Sequence, residues 1–213
     1  MVVEGAPALP RPEPTMKSLL LLPVLFAAAA LPFGAPRPLT APVSGDQVVD
    51  TVHSSVQFRV RHADTAPFLG AFNEITGAIS LDPKAPEKGS IAITIPLSSI
   101  DTRDAKRDEH LKGPDFFNAK ENPDMTFKST KIAKKDKMLE VTGDLAMAGK
   151  TKSITIPVEF VGSSESQMMG KRAGYSTTFT VKRSDFGMNY GVAQKALGDE
   201  VTLMIDLELT PKK

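Results

Sequence analysis

From about residue 55 to the C-terminus, apolar side chains recur at every second position. In VQFRVRH, Val56, Phe58, Val60 and His62 share one face, while Gln57, Arg59 and Arg61 share the other. The same period returns at 75–81, 91–97, 125–129, 139–147, 154–160, 175–181 and 201–209, giving eight segments. Successive side chains of a strand point to opposite faces, so each segment predicts a β-strand with one dry and one wet face. Strands of this kind joined mostly by short turns, such as the tight AGKT turn, make an antiparallel barrel or a sandwich. Eight is also the strand number at which a closed barrel holds its own side chains or one small ligand, which favours the barrel.

Two connections are long, 101–123 and 184–199. The first contains TRDAKRDEHLKG, a run of helix formers that Thr102 or Asp101 can cap and Gly113 can end. Arg103 and Arg107 share one face of this helix and Asp104 and Asp108 another, the pattern of a solvated helix with ion pairs. It is followed by adjacent rings, Phe116 and Phe117, in a chain with 11 Phe, 2 Tyr and no Trp. The second connection opens on Ser184 as a further candidate cap and carries Phe186, Met188 and Tyr190. Long connections bearing aromatics can lie across a barrel mouth, so Phe116, Phe117 and Phe186 are expected to plug or line one end; the alternative, compatible with it, is that the adjacent rings Phe116 and Phe117 simply complete the core.

Charge narrows the partners. Lys and Arg number 26 against 25 Asp and Glu, a net charge of +1, which argues against a general nucleic-acid binder. The basic hairpin KSTKIAKKDK offers at most transient contact with anionic headgroups, and nothing in the pattern speaks against a homodimer. With no cysteine there is no disulfide, thiolate metal site or thiol nucleophile. The three histidines, His53, His62 and His110, lack the i, i+4 spacing of a helical zinc site, and no GxSxG, P-loop or Rossmann motif occurs. His62 falls on the apolar face and reads as a hydrogen-bonded core histidine. No metal and no cofactor is therefore expected.

The N-terminal region predicts export. From Met16, a lysine, an apolar run and a string of alanines follow in the order of a secretory signal peptide, with cleavage near Ala30. The run is shorter than the roughly 20 apolar residues of a membrane span. Residues 1–15 then read as an extension ahead of a true start at Met16, residues 31–45 as a proline-rich linker, and 46–213 as the folded domain. Removing 1–30 takes away Arg11, Lys17, Glu4 and Glu13, two charges of each sign, and leaves the net charge unchanged. The expected location is periplasmic or secreted.

Six collinear segments carry a family resemblance: VDTVHSSVQFRVRH, Gly70-Ala71-Phe72, SIDTRDAKRDEHLKGPDFFNAKENP, GDLAMAGKTKSITIPV, KRSDFGMNYG and ALGDEVTLMIDLEL. Together they resemble the YceI-like family of polyisoprenoid-binding periplasmic proteins, over nearly the whole span from Asp50 to Leu209. The resemblance implies an all-β, lipocalin-like, eight-stranded antiparallel barrel with one or two short helices in its long connections. It also implies a lumen that takes a long isoprenoid chain, a quinone or polyprenyl lipid, for storage or transport. On that reading the inward positions Phe58, Val60, Phe72, Ile79, Ile93 and Phe127 line the chain. So do Val141, Ile156, Phe179 and Ile205 on the later strands. Phe116, Phe117 and Phe186 close a mouth, and His62, Arg183 and Arg103 are the candidates to orient a head group. The competing reading is an enzyme acting on a lipid in the same barrel, with His62, Arg103, Asp108 or Arg183 as acid, base or clamp. A third is an interaction domain whose interior is only core.

Overall fold

The computed structural model of the protein describes residues 45–82 and 84–212. The expected signal peptide, the start at Met16 and all but the last residue of the linker lie outside the described residues.

The eight expected strands are the staves of a closed barrel, and the first three staves are each broken in two. Stave one is β1 (Gly45–Val49) and β2 (Ser55–His62), stave two β3 (Ala66–Phe72) and β4 (Thr76–Leu81), and stave three β5 (Ser90–Pro96) and β6 (Ile100–Asp101). Five long strands complete the ring: β7 (Asp124–Lys135), β8 (Met138–Met147), β9 (Lys150–Ser166), β10 (Gly170–Lys182) and β11 (Leu197–Pro211). Neighbours in sequence are neighbours in the sheet and antiparallel. The ring closes where both halves of stave one pair along the same edge of β11, Val49 opposite Leu209 and Phe58 opposite Leu203.

The breaks have local causes. At Asp50 the carboxylate accepts from the Val52 and His53 amides, at 3.0 and 3.3 Å, an Asx turn that ends β1. The Ser54 hydroxyl then stands in for a ladder group, accepting from the Glu208 amide at 3.0 Å and donating to its carbonyl at 3.4 Å. In stave three, a 3-10 turn at Leu97–Ser99 separates β5 from β6. Sequence periodicity misses β1, β3 and β6 for related reasons. β1 turns a glutamine, Gln47, inward; β3 turns Gly70 inward and leaves Leu69 exposed; β6 has only two residues.

Gly70 is there for a neighbour. It sits directly opposite Phe58, and a Cβ at that position would fall 2.3 Å from the Phe58 ring. The outer end of the ring therefore occupies the space a Cβ would need, a device that also pins register.

The first long connection holds the helix α1 (Ala105–Lys112), which ends at Gly113 as expected. Its cap is Asp104, not Thr102 or Asp101: the Asp104 carboxylate accepts from the Arg107 amide at 2.9 Å. Thr102 is buried instead, with its amide donating to Asp108 at 2.9 Å and its hydroxyl and carbonyl both taken by Arg107 at 2.8 Å. The arginine side chain also lies over the Phe68 ring, 4.4 Å from its centroid. Asp108 and Arg107 thus tie the helix to the barrel and do not merely solvate it. In the second connection, a 3-10 turn spans Arg183–Phe186. Ser184 caps nothing; its amide and hydroxyl bind the two oxygens of Asp199 at 2.9 and 2.8 Å, pinning the ends of the connection together.

Candidate ligand-binding lumen

Inward positions along the staves enclose two apolar voids, in line along the barrel. One, of about 720 Å³ including its openings, is bordered by Ile79, Ile93, Phe127, Ile156, Phe179 and Ile205. The other, about 600 Å³ on the same basis, lies under α1 and is bordered by Phe58, Val60, Phe72, Phe116, Phe117 and Arg183. Met125 and Leu203 belong to both walls. Both are narrow as they stand: the centre of a water-sized sphere has about 60 Å³ to move in within the first and about 70 Å³ within the second.

The remaining expected site residues lie elsewhere. His62 is exposed at the end of β2, beyond the last covered rung, and is no core histidine. Arg103 is exposed ahead of α1, at a left-handed φ of 64°. Val141 is fully buried but borders neither void. It belongs to the packing that fills the far end, where Gln47, Ile132, Val141 and Leu209 are 1%, 2%, 0% and 0% exposed. Phe186 is buried core beneath the second connection and borders neither void.

The adjacent phenylalanines do different things. Phe116 is buried between the two connections, its centroid 5.1 Å from His110 and 5.3 Å from Tyr190. Phe117 is half-buried and meets Phe72 edge-on at 6.0 Å, and Phe72 in turn meets Phe58 at 5.6 Å. One ring joins the cover to itself, and its neighbour joins the cover to the lumen.

Arg183 borders the second void, but its donors are committed. Nε binds the Gly198 carbonyl at 2.8 Å, Nη1 that of Met188 at 2.7 Å, and Nη2 those of Tyr190 and Leu197 at 2.7 and 2.9 Å. Burial pulls its pKa below the usual arginine value, and Asp199 offsets part of that pull. The residue is a clamp on the second connection, not the free head-group ligand expected.

Two polar side chains inside the barrel were not foreseen. Tyr175 borders the first void, is 4% exposed, and its hydroxyl has no hydrogen-bond partner among the described residues. Burial alone pushes its pKa up. Its place in an alternating strand marked it as inward; nothing in the sequence marked its hydroxyl as unpaired. Gln47, in the packed end, has both amide atoms without a partner among the described residues. An unsatisfied buried amide costs about 1–3 kcal/mol. Gln47→Met, nearly isosteric, is expected to raise stability by about that amount in urea unfolding. An unchanged or lower midpoint would mean that the amide is satisfied in solution.

Outside the lumen, Asp50, His53 and Glu208 bring potential ligand atoms within 4.8 Å of one another. The hydrogen bond from His53 holds the Asp50 carboxyl below the usual carboxylate range. Arg172 Nε lies 2.9 Å from Glu208 Oε1, yet neither atom meets hydrogen-bond geometry, so their contact is a misaligned ion pair. That guanidinium supplies the positive charge a cation would otherwise bring.

A family model described as the YceI-like domain matches residues 47–209. The chain belongs to this family. Among relatives of the YceI-like domain, the UPF0312 protein of Pseudomonas aeruginosa is 35% identical over 158 residues, covering 73% of this chain and 81% of its own. The crystal structure of Burkholderia cenocepacia BcnA superposes with a TM-score of 0.69 at 28% identity, over 76% of this chain and 99% of that one. A polyisoprenoid binding domain from Saccharophagus degradans, implicated in plant cell wall breakdown, has a TM-score of 0.61 at 15% identity, over 78% and 98%. The eight-stranded antiparallel barrel is thus the fold of the YceI-like domain. Among the described residues no helix is long and apolar enough to cross a membrane.

Proposed function

We propose that the protein holds one long isoprenoid chain, of a quinone or polyprenyl lipid, in its lumen, for storage or transport after export. The observation that carries this is the alignment of two apolar voids along one barrel, sharing Met125 and Leu203 as common wall. An extended apolar chain fits such a bore better than a compact ligand. The Saccharophagus neighbour, described as polyisoprenoid binding, shares the fold. The Tyr175 hydroxyl is the group that would orient a polar terminus, since a lipid site needs only a few polar atoms.

The energetics suit a carrier. Each buried CH₂ contributes roughly 0.8 kcal/mol, so a chain of some forty carbons would total about 30 kcal/mol, beyond the roughly 18–21 kcal/mol at which affinities saturate. The sum is not an affinity, because the chain's other home is a bilayer of equal apolarity. A small net preference permits exchange. Catalysis has less support: His62 and Arg103 face solvent, Asp108 is bound by Thr102, and Arg183 is held by carbonyls.

Organic extraction of protein purified from cells, followed by mass spectrometry, is expected to yield a long-chain isoprenoid at roughly one per protein. Delipidated protein that takes up no quinone, polyprenyl or fatty-acyl lipid from liposomes would leave the barrel as a structural core only.

A further inference from the structure

Packed side chains occupy both ends of the lumen. At one, Gln47, Ile132, Val141 and Leu209 fill the bore. Over the other lie Phe116 and Phe117, beneath a connection that Arg183 ties down through four carbonyls. Threading a chain through either end disrupts one of these arrangements.

The wall between β9 and β10 is different. β9 pairs with β8 from Lys150 to Glu159, and β10 pairs with β11 from Ala173 to Lys182. Between β9 and β10 themselves, pairing starts at Ser166 opposite Gly170 and stops at Glu159 opposite Ser176. Among the described residues, no ladder pair joins 150–158 to 177–182. Where the ladder stops, Thr177 Oγ1 donates to the Pro157 carbonyl at 2.6 Å. At the far end of the gap, the Lys150 ammonium reaches over Gly187, 3.1 Å from where a Cβ would stand. The slot between is about six residues long, roughly 20 Å at 3.3 Å per residue.

The slot leads to the lumen. Ile156 and Val158 on one lip, and Thr177 and Phe179 on the other, all border the first void. Ile154, Phe179 and Val181 face inward yet are only half-buried. Lys150 and Lys152 occupy inward parity on β9 and are exposed, the kind of charge with which sheets guard an open edge against strand addition.

We propose that the apolar cargo loads and leaves sideways, through the seam between β9 and β10. This rests on the lumen being the isoprenoid site. Spreading this half of the β9–β10 pair breaks no ladder bonds, whereas parting β7 from β8, β8 from β9 or β10 from β11 over a similar length does.

A chain without cysteine allows a clean test. Continuing the register of Ser176 and Glu159 places Thr180 opposite Thr155, both exposed and outside the lining. Thr155→Cys with Thr180→Cys staples the seam, as a disulfide or, where the gap exceeds the roughly 4.4–6.8 Å Cα separation of a disulfide, through a bis-maleimide. Phe68→Cys with Arg107→Cys staples the cover instead, tying β3 to α1 where ring and guanidinium touch. Transfer of a deuterated long-chain isoprenoid quinone from phosphatidylcholine vesicles to delipidated protein is then timed. The seam staple is expected to slow transfer by about tenfold or more, and the cover staple to leave it unchanged. Slowing by the cover staple alone, or by neither, overturns the seam. Should unstapled protein take up no quinone, the isoprenoid reading falls first, and the same staples are timed with cis-parinaric acid, whose fluorescence reports any apolar lumen. Protein that takes up neither probe refutes both.

Discussion

Arg183→Met is expected to lower stability by about 3–5 kcal/mol. The side chain is 4% exposed and serves four backbone carbonyls, those of Met188, Tyr190, Leu197 and Gly198. Methionine fills similar space but donates nothing, so these acceptors lose their partner at once. Arg183→Lys keeps the charge, but one ammonium cannot reach a set of carbonyls arranged around a planar fork. It is expected to lose about half as much, and neither loss is expected to vary near neutral pH, where arginine stays charged. Urea unfolding measures the loss, and limited proteolysis of 184–196 locates it. A drop below about 1 kcal/mol would mean that Phe186 and Met188 hold this connection by packing alone.

Phe116→Ala and Phe117→Ala are expected to separate stability from cargo exchange. Truncating a buried phenylalanine typically costs about 3–5 kcal/mol, and Phe116, 7% exposed against His110 and Tyr190, falls in that class. Its loss removes the ring packed against both α1 and the second connection, leaving His110 edge-on to Tyr190 at 4.9 Å as the remaining ring contact between them. Phe117 is half-buried, so its removal is expected to cost about 1–2 kcal/mol while widening the second void beside Phe72. Thermal melts and lipid transfer, measured together, distinguish the two. If Phe117→Ala lowers stability as much as Phe116→Ala and leaves retention of cargo unchanged, the ring is core and nothing more.

How far each feature was legible in the sequence depends on whether its cause is local. Alternation is local, and it placed eight staves correctly because each has one wet and one dry face. The same rule passed over β3, where Gly70 interrupts the inward apolar set and the outward Leu69 is apolar. That strand makes sense only once the outer end of the Phe58 ring is seen filling the place of a Gly70 Cβ from the neighbouring strand. Lumen-lining aliphatics were legible by parity, as Ile79, Ile93, Ile156 and Ile205 illustrate. Parity cannot say how deep along the bore a residue sits. Val141 and Phe127, both inward, therefore separated into packed end and cavity wall.

Polar residues were the least legible, because a charge or hydroxyl takes its role from partners distant in sequence. Arg183 appeared free at a strand end until carbonyls up to 15 residues away closed on it. Asp108 looked solvated until it reached back to Thr102. The sequence alone determined an all-β chain of eight amphipathic strands with two aromatic connections, since side-chain period and turn chemistry act over a few residues. Only the tertiary structure decided that the ring closes on β11, that its ends are filled, and that β9 and β10 part company midway. Those outcomes depend on register and on the curvature of whole strands, which no local pattern encodes.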